Sequence, residues 1–206
     1  MIRCSSLGKI MTEPKGKGEV LSVGAKTYLN QLAKEKVYGY YSSIESRYLS
    51  KGILCEDASI ALYNLVNFCD LVKNDERKNN GLIIGECDLF IPNKRGVDIK
   101  TAWSLDTFPV LPEDCHDKEY EWQARGYMML WDLPIWDIAY CLVSTPYELM
   151  PEGKEDLHIV DHIAPEMRIT SIRYERCEKL EDKIKEKAAA AIEYIEDTIK
   201  RIQSCH

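Results

Sequence analysis

The sequence predicts a mixed α/β (α+β) fold: a central mixed β-sheet flanked by helices and closed by a long C-terminal helix. Three observations predict it. Two stretches of helical periodicity come first, then two strand-like runs joined by turn residues, a helix, further strands and a final helix; that order places helices against the faces of a mixed sheet. Residues 176–203 carry one apolar stripe at helical spacing, Leu180, Ile184, Ala188, Ala191, Ile192, Ile195, Ile199 and Ile202. A length of 206 residues, 45% hydrophobic and 30% charged, suffices for one core and is short for two, so residues 1–206 are expected to form a single domain.

The elements follow in order. Residues 12–19, rich in Gly, Pro and Lys, read as a loop. Ser22 is placed to cap a helix running to about Tyr38, with Ala25, Tyr28, Leu29, Leu32 and Ala33 as its apolar stripe. A second helix is expected over 51–71, with Leu54, Ala58, Ala61, Leu62, Leu65 and Phe68 inward. The charged stretch 73–80 separates it from Gly81. Residues 82–91 and 97–101 have strand composition, and the turn residues Pro92 to Gly96 between them predict a β-hairpin. After a loop around 103–117, residues 118–131 read as a helix and 137–145 as a buried strand ended by Pro146. Residues 157–163 and 168–174 are expected to be further strands.

Composition bounds the chemistry. No apolar run approaches the ~20 residues of a membrane span. The segment Met1 to Ser6 lacks the charged-then-apolar pattern of a signal peptide, so a cytoplasmic location is expected. The eight cysteines are scattered singly, with no Cys-x-x-Cys pair to suggest a zinc or iron–sulfur site, and are expected as reduced, mostly buried thiols. A net charge of −7 disfavours non-specific binding to nucleic acid, which clustered Lys and Arg would hold. The basic residues available to line such a path are Lys78, Lys94, Arg95, Lys100 and Arg125. His158 and His162 flank Asp161 without a third metal ligand at useful spacing, and are expected as surface or internally satisfied histidines. Trp103, Trp122, Trp131 and Trp136 are expected in the core more often than stacked on bases.

The chemistry centres on Gly85-Glu86-Cys87-Asp88, followed by Asp98-Ile99-Lys100, with ten residues from Asp88 to Asp98. Alternate side chains of a strand share a face, so Asp98 and Lys100 point the same way. A turn centred on Asn93 sets Asp88 opposite Asp98 and Glu86 opposite Lys100. Carboxylates about 5 Å apart repel, and a cation between them relieves the repulsion. Oxygen ligands favour Mg²⁺ first and Mn²⁺ second. A lysine two positions beyond a metal-binding acid can hold an attacking water or offset charge on a phosphoryl group. An ordinary amphipathic hairpin with solvated charges accounts for the same residues. Glu56, on the preceding helix, is a further acid within reach, and Tyr120, Gln123 and Tyr127 share one face of the 118–131 helix.

Gly52-x3-Glu56, Gly85-Glu86-x-Asp88, Asp98-Ile99-Lys100-Thr101 and Gln123-x3-Tyr127 occur in the order found in the PD-(D/E)XK nucleases. Among them the chain most resembles the lambda exonuclease / YqaJ-type viral recombinases, through the gap between the aspartates and through Arg3-Cys4-Ser5-Ser6-x3-Ile10-Met11. The resemblance spans roughly residues 2–145. It departs in having Asp98 where many members have Glu, and Cys87 where the family name has Pro. It implies a restriction-endonuclease-like core, two Mg²⁺ ions, and degradation of one strand of linear duplex DNA from a 5′ end. It also implies a ring-shaped homotrimer, a single-strand annealing protein as partner, and a bacterial or phage-infected cell as setting. Carried over by position, Asp88, Asp98 and the Ile99 carbonyl bind metal, and Glu56 serves a second metal or its water. Lys100 positions the nucleophilic water and Gln123 steadies it. Ser5 or Ser6 contacts a 5′-phosphate with Arg3 beside it, and Thr101, Arg125 and Tyr127 complete the DNA-contacting set. A structure-specific or restriction-type endonuclease on the same fold, and a catalytically silent DNA-binding scaffold, are the alternatives.

Overall fold

The computed structural model describes residues 1–41 and 46–205. In chain order the strands are β1 (Ile2–Arg3), β2 (Arg77–Asn79), β3 (Ile83–Glu86), β4 (Leu89–Ile91), β5 (Arg95–Thr101), β6 (Ile135–Cys141) and β7 (Ile169–Glu175). The helices are α1 (Leu7–Ile10), α2 (Val23–Tyr38), α3 (Arg47–Leu54), α4 (Glu56–Asn67), α5 (Lys118–Trp131), α6 (Glu155–His158) and α7 (Glu178–Ser204). A three-stranded sheet has the order β1-β3-β2, and a four-stranded sheet the order β4-β5-β6-β7. Strands β1 and β3 run parallel, as do β5 and β6, and the other pairs are antiparallel. The mixed sheet with flanking helices and a long last helix is as expected.

Parallel neighbours need a crossover, and α5 supplies the one between β5 and β6. Asp117 caps it, its carboxylate accepting from the amides of Glu119 and Tyr120. Its inner face packs on strands of both sheets. Trp136, fully buried on β6, lies beside Gly96 of β5, where an added Cβ would fall 2.1 Å from the indole ring. Helix α2 starts at Ser22, whose hydroxyl accepts from the Ala25 amide, and buries Ala25, Leu29 and Ala33. Helix α7 buries Ile184, Ala188 and Ala191 and packs on α2 and α5. The far face of the four-stranded sheet is covered by α4 through Ile60, Leu62 and Tyr63, against Leu89, Val97, Ile99 and Ala139.

Six expectations are corrected. The helix expected over 51–71 is two, α3 and α4, meeting at Cys55. Its face is also rotated: Lys51, Cys55, Ser59, Ile60 and Tyr63 turn inward beside Leu62, whereas Leu54, Leu65 and Phe68 are exposed, Phe68 at 97%, and so are Ala58 and Ala61. The corner at Cys55 breaks the single helical period on which the stripe was drawn. The charged stretch 73–80 holds strand β2, an exposed edge whose polar side chains hide it from a hydrophobic pattern. The run 82–91 divides at Cys87 and Asp88, its first half joining one sheet and its second half the other. The strand expected over 137–145 starts at Ile135 and ends at Cys141. Residues 157–163 form the end of α6 and a turn, and His158 is buried there, its Nδ1 2.7 Å from Thr145 Oγ1.

Candidate active site

The β4–β5 hairpin turns on Asn93, which adopts φ 59°, and pairs Leu89 with Val97, Phe90 with Gly96 and Ile91 with Arg95. The register continues toward Asp88 and Asp98, but β4 begins only at Leu89. Asp88 therefore stands at the break between the two sheets. Its Oδ2 accepts the Ile99 amide at 2.7 Å, which ties it to the flank of β5. In a strand the N–H and C=O of one residue project to the same side, so the Ile99 carbonyl also faces that edge.

One cleft of about 620 Å³ is lined by Asp88, Asp98, Ile99, Lys100 and Thr101 with Glu56, Gln123 and Tyr120. Asp98 is 2% exposed. Its Oδ2 is buried and no hydrogen bond of good geometry reaches it, although Lys100 Nζ stands 2.5 Å away. Burial first, then the neighbouring Asp98, pushes the Asp88 carboxyl up to about 8. Burial alone would lower Lys100, but Asp98 and Asp88 raise it above the ordinary lysine value. The Lys100 ammonium also lies 4.3 Å from the centre of the Tyr120 ring. Among the described residues no three His, Cys, Asp or Glu side chains gather as a complete metal cage. Two carboxylates do fit Mg²⁺, which keeps most of its waters and is commonly bound through one or two protein carboxylates and a substrate phosphate.

Glu56 opens α4 at the cleft's edge and pairs with Lys73 at 2.5 Å. Lys73 was not visible as a site residue, because it lies in a charged stretch without periodicity. Gln123 lines the cleft, and its Nε2 donates to Tyr127 Oη at 3.1 Å. Tyr127 in turn donates to the Glu86 carbonyl at 2.8 Å, and Gly85 beside it leaves the ring room, since a Cβ there would meet Tyr127 Cε1 at 2.5 Å. Thr101 Oγ1 lies 2.8 Å from Ser59 Oγ.

Some expected residues sit elsewhere. Glu86 is not opposite Lys100; it belongs to β3, pairs with Arg77 at 3.1 Å, and lines a separate cavity of about 310 Å³ with Arg3, Ser5, Arg77 and Tyr127. The break at Cys87 sends its side chain away from β5. Arg77 was missed for the same reason as β2 itself. Ser6 does not line that cavity. Arg125 pairs with Glu121 at 2.6 Å and lies near the Tyr174 ring, away from the cleft lining. Apart from Lys100, the other basic residues named above do not line the cleft: Arg95 serves Asp137 at 3.1 Å, and Lys78 stands 5.4 Å from the Trp131 ring.

Comparison with solved structures finds a phage-related exonuclease from Haemophilus somnus 129PT, with a TM-score of 0.91 at 33% identity over 98% of this chain and 96% of that one. The chain belongs to the lambda exonuclease-like family of phage-related exonucleases. An alkaline exonuclease from Laribacter hongkongensis shares the fold of this phage-exonuclease family member at a TM-score of 0.71 and 15% identity, over 98% of this chain and 91% of that one. The same enzyme in complex with dAMP gives 0.69 and 14% over the same shares. No protein-family model and no curated protein matches the chain. The family likeness extends through β7 and α7, where the sequence carries no motif: the last third is part of the shared fold.

Proposed function

We propose that the chain is a Mg²⁺-dependent deoxyribonuclease that degrades linear duplex DNA as an exonuclease, with Mn²⁺ able to replace Mg²⁺. The observation that carries the reading is the convergence of buried Asp98, Asp88 and the Lys100 ammonium on one open cleft. Asp88, Asp98 and the Ile99 carbonyl would hold the cation, with Glu56 behind a second one. The bound metal supplies a more acidic water and offsets charge on the phosphoryl group. Lys100 Nζ, already oriented by Asp98 and by the Tyr120 ring, supports the nucleophile and the charge that develops in the transition state. Gln123 reaches the same space with its amide braced by Tyr127. Attack in line on the phosphodiester leaves a 5′-phosphate on the product.

Membership of a phage exonuclease family favours exonuclease over endonuclease action. The cavity of Arg3, Ser5 and Arg77 supports 5′-phosphate recognition and hence a 5′ to 3′ direction, with Glu86 displaced from Arg77 by the incoming anion. Tyr127 lies in the wall between this cavity and Gln123. A homotrimer and a single-strand annealing protein as partner follow from the family resemblance. The test incubates linear and closed circular duplex with Mg²⁺ or EDTA. Loss of the linear form in Mg²⁺ alone, faster with a 5′-phosphate than a 5′-hydroxyl, is the expected result. Nicking of the circle would move the assignment to an endonuclease.

A further inference from the structure

The connector between α4 and β2, residues 69–76, contains neither helix nor strand, and no step of the proposed reaction falls to it. It is nonetheless fastened along its length. Asn64 of α4 grips Leu71, accepting from its amide at 3.1 Å and donating to its carbonyl at 2.9 Å. Two residues on, Lys73 holds Glu56. Asn74 then reaches the break between the two sheets.

Four hydrogen bonds fix Asn74. Its amide donates to the Asp88 carbonyl at 2.7 Å. Its side-chain nitrogen carries two N–H groups, and both are used: one goes to the Cys87 carbonyl at 3.0 Å and one to the Glu76 carbonyl at 2.9 Å. Its Oδ1 accepts from the Glu76 amide at 3.1 Å. The two bonds to Glu76 close a local turn of the kind asparagine forms in many loops. The bond to Cys87 spans 13 residues and serves no turn.

Cys87 and Asp88 are where such outside restraint matters. Strand β3 ends at Glu86, paired with Arg77, and β4 begins at Leu89, paired with Val97. The two residues between belong to neither ladder, so neither sheet fixes their backbone. The Asp88 carboxylate is held from the β5 side by the Ile99 amide, while Asp98 repels it. Asn74 supplies the restraint on the main-chain side. A carboxylate tied only at its tip can pivot about its backbone; tied at both ends it keeps one direction.

We infer that Asn74 is a positioning residue for Asp88: by gripping the carbonyls of Cys87 and Asp88 it holds that carboxylate in the cleft beside Asp98. This rests on the metal-dependent nuclease reading and adds to it a residue outside the cleft lining on which the metal site depends.

The test reads metal binding in the folded protein, without DNA. Mn²⁺ is titrated into the wild type, Asn74→Ser and Asn74→Ala, and the free ion is followed by electron paramagnetic resonance. Thermal unfolding of the metal-free proteins is recorded alongside. Serine keeps an oxygen for the Glu76 amide, and so the local turn, but its side chain is too short to reach the Cys87 carbonyl. Both variants are expected to bind Mn²⁺ about tenfold more weakly than the wild type, the lower end of what losing an outer partner of a metal ligand costs. Their unfolding midpoints should stay near the wild type's, because Asn74 is only half-buried and lies between exposed residues. Wild-type affinity in Asn74→Ser, with loss only in Asn74→Ala, would make Asn74 a loop former and overturn the inference; so would wild-type affinity in both, whatever their midpoints. Mn²⁺ that fails to bind the wild type, or that binds Asp98→Ala equally well, overturns the metal reading itself.

Discussion

Lys51→Met replaces a buried ammonium with an unbranched apolar chain of similar length. Burial pulls Lys51 down to about 8 from the ordinary 10.5, against an opposing pull from Cys55. Between those two values the unfolded chain binds the proton and the folded one does not, so this group makes stability rise with pH across that window. The gap corresponds to about 3 kcal/mol. At pH 7 the substitution removes that cost but leaves the Trp103 and Val143 carbonyls without their donor, at about 1–3 kcal/mol each, so the net change is small or destabilising. Other groups act in the opposite sense. The buried thiols of Cys87 and Cys141 are pushed up to about 12, so stability falls as pH passes the free thiol value near 9. Both proteins share those thiols, and the difference between them isolates the lysine. Urea unfolding of the two proteins at pH 7.5, 8.5, 9.5 and 10.5 is expected to show the wild-type advantage growing by about 3 kcal/mol over the series. An advantage that stays constant with pH would refute the buried, uncompensated ammonium.

Asp88→Asn should raise the thermal midpoint in EDTA at pH 8, since a carboxyl raised to about 8 costs stability as pH climbs from its unfolded value near 4; an unchanged midpoint would remove the charge conflict with Asp98. Gly96→Ala drives a methyl into the buried Trp136 ring and should cost about 1–3 kcal/mol or more by urea unfolding; a neutral effect would mean the strands are not so close. Tyr127→Phe loses its bond to the Glu86 carbonyl and frees Gln123, so about 1 kcal/mol of stability and a lowered kcat with little change in KM are expected. A changed KM alone would assign Tyr127 to binding.

Much of the architecture is legible because single elements carry strong periodic patterns. Helix α5 has the bounds its spacing predicts, and α2 starts at the serine that caps it. The hairpin centre at Asn93 follows from turn chemistry, and with it the approach of Asp88 to β5. What failed depended on partners distant in sequence. The inward face of α4 was drawn through Leu65 and Phe68, yet the apolar floor beneath it selects Ile60, Leu62 and Tyr63. Strand β2 forms because β3 offers it hydrogen bonds, not because Arg77, Lys78 and Asn79 favour a strand. The break at Cys87 depends on two sheets diverging there, so Glu86 joined the wrong site. Lys73 and Arg77 reach their acids through that same unpatterned segment, and only tertiary structure reveals them. An overall net charge of −7 likewise says little about one cleft, where the Lys100 ammonium pairs with Asp98 and feels the charge of Asp88.

The proposed reaction depends on Asp98 and Asp88 sharing one divalent ion beside Lys100. The most direct measurement compares cleavage of 5′-phosphorylated linear duplex by the wild type and by Asp98→Ala in Mg²⁺, with the fold of each verified by circular dichroism. At least a hundredfold loss in the folded variant is predicted, the scale of one lost transition-state charge contact, together with none of the wild type's Mn²⁺ binding by electron paramagnetic resonance. A folded variant that cleaves within a few-fold of the wild type would contradict the account.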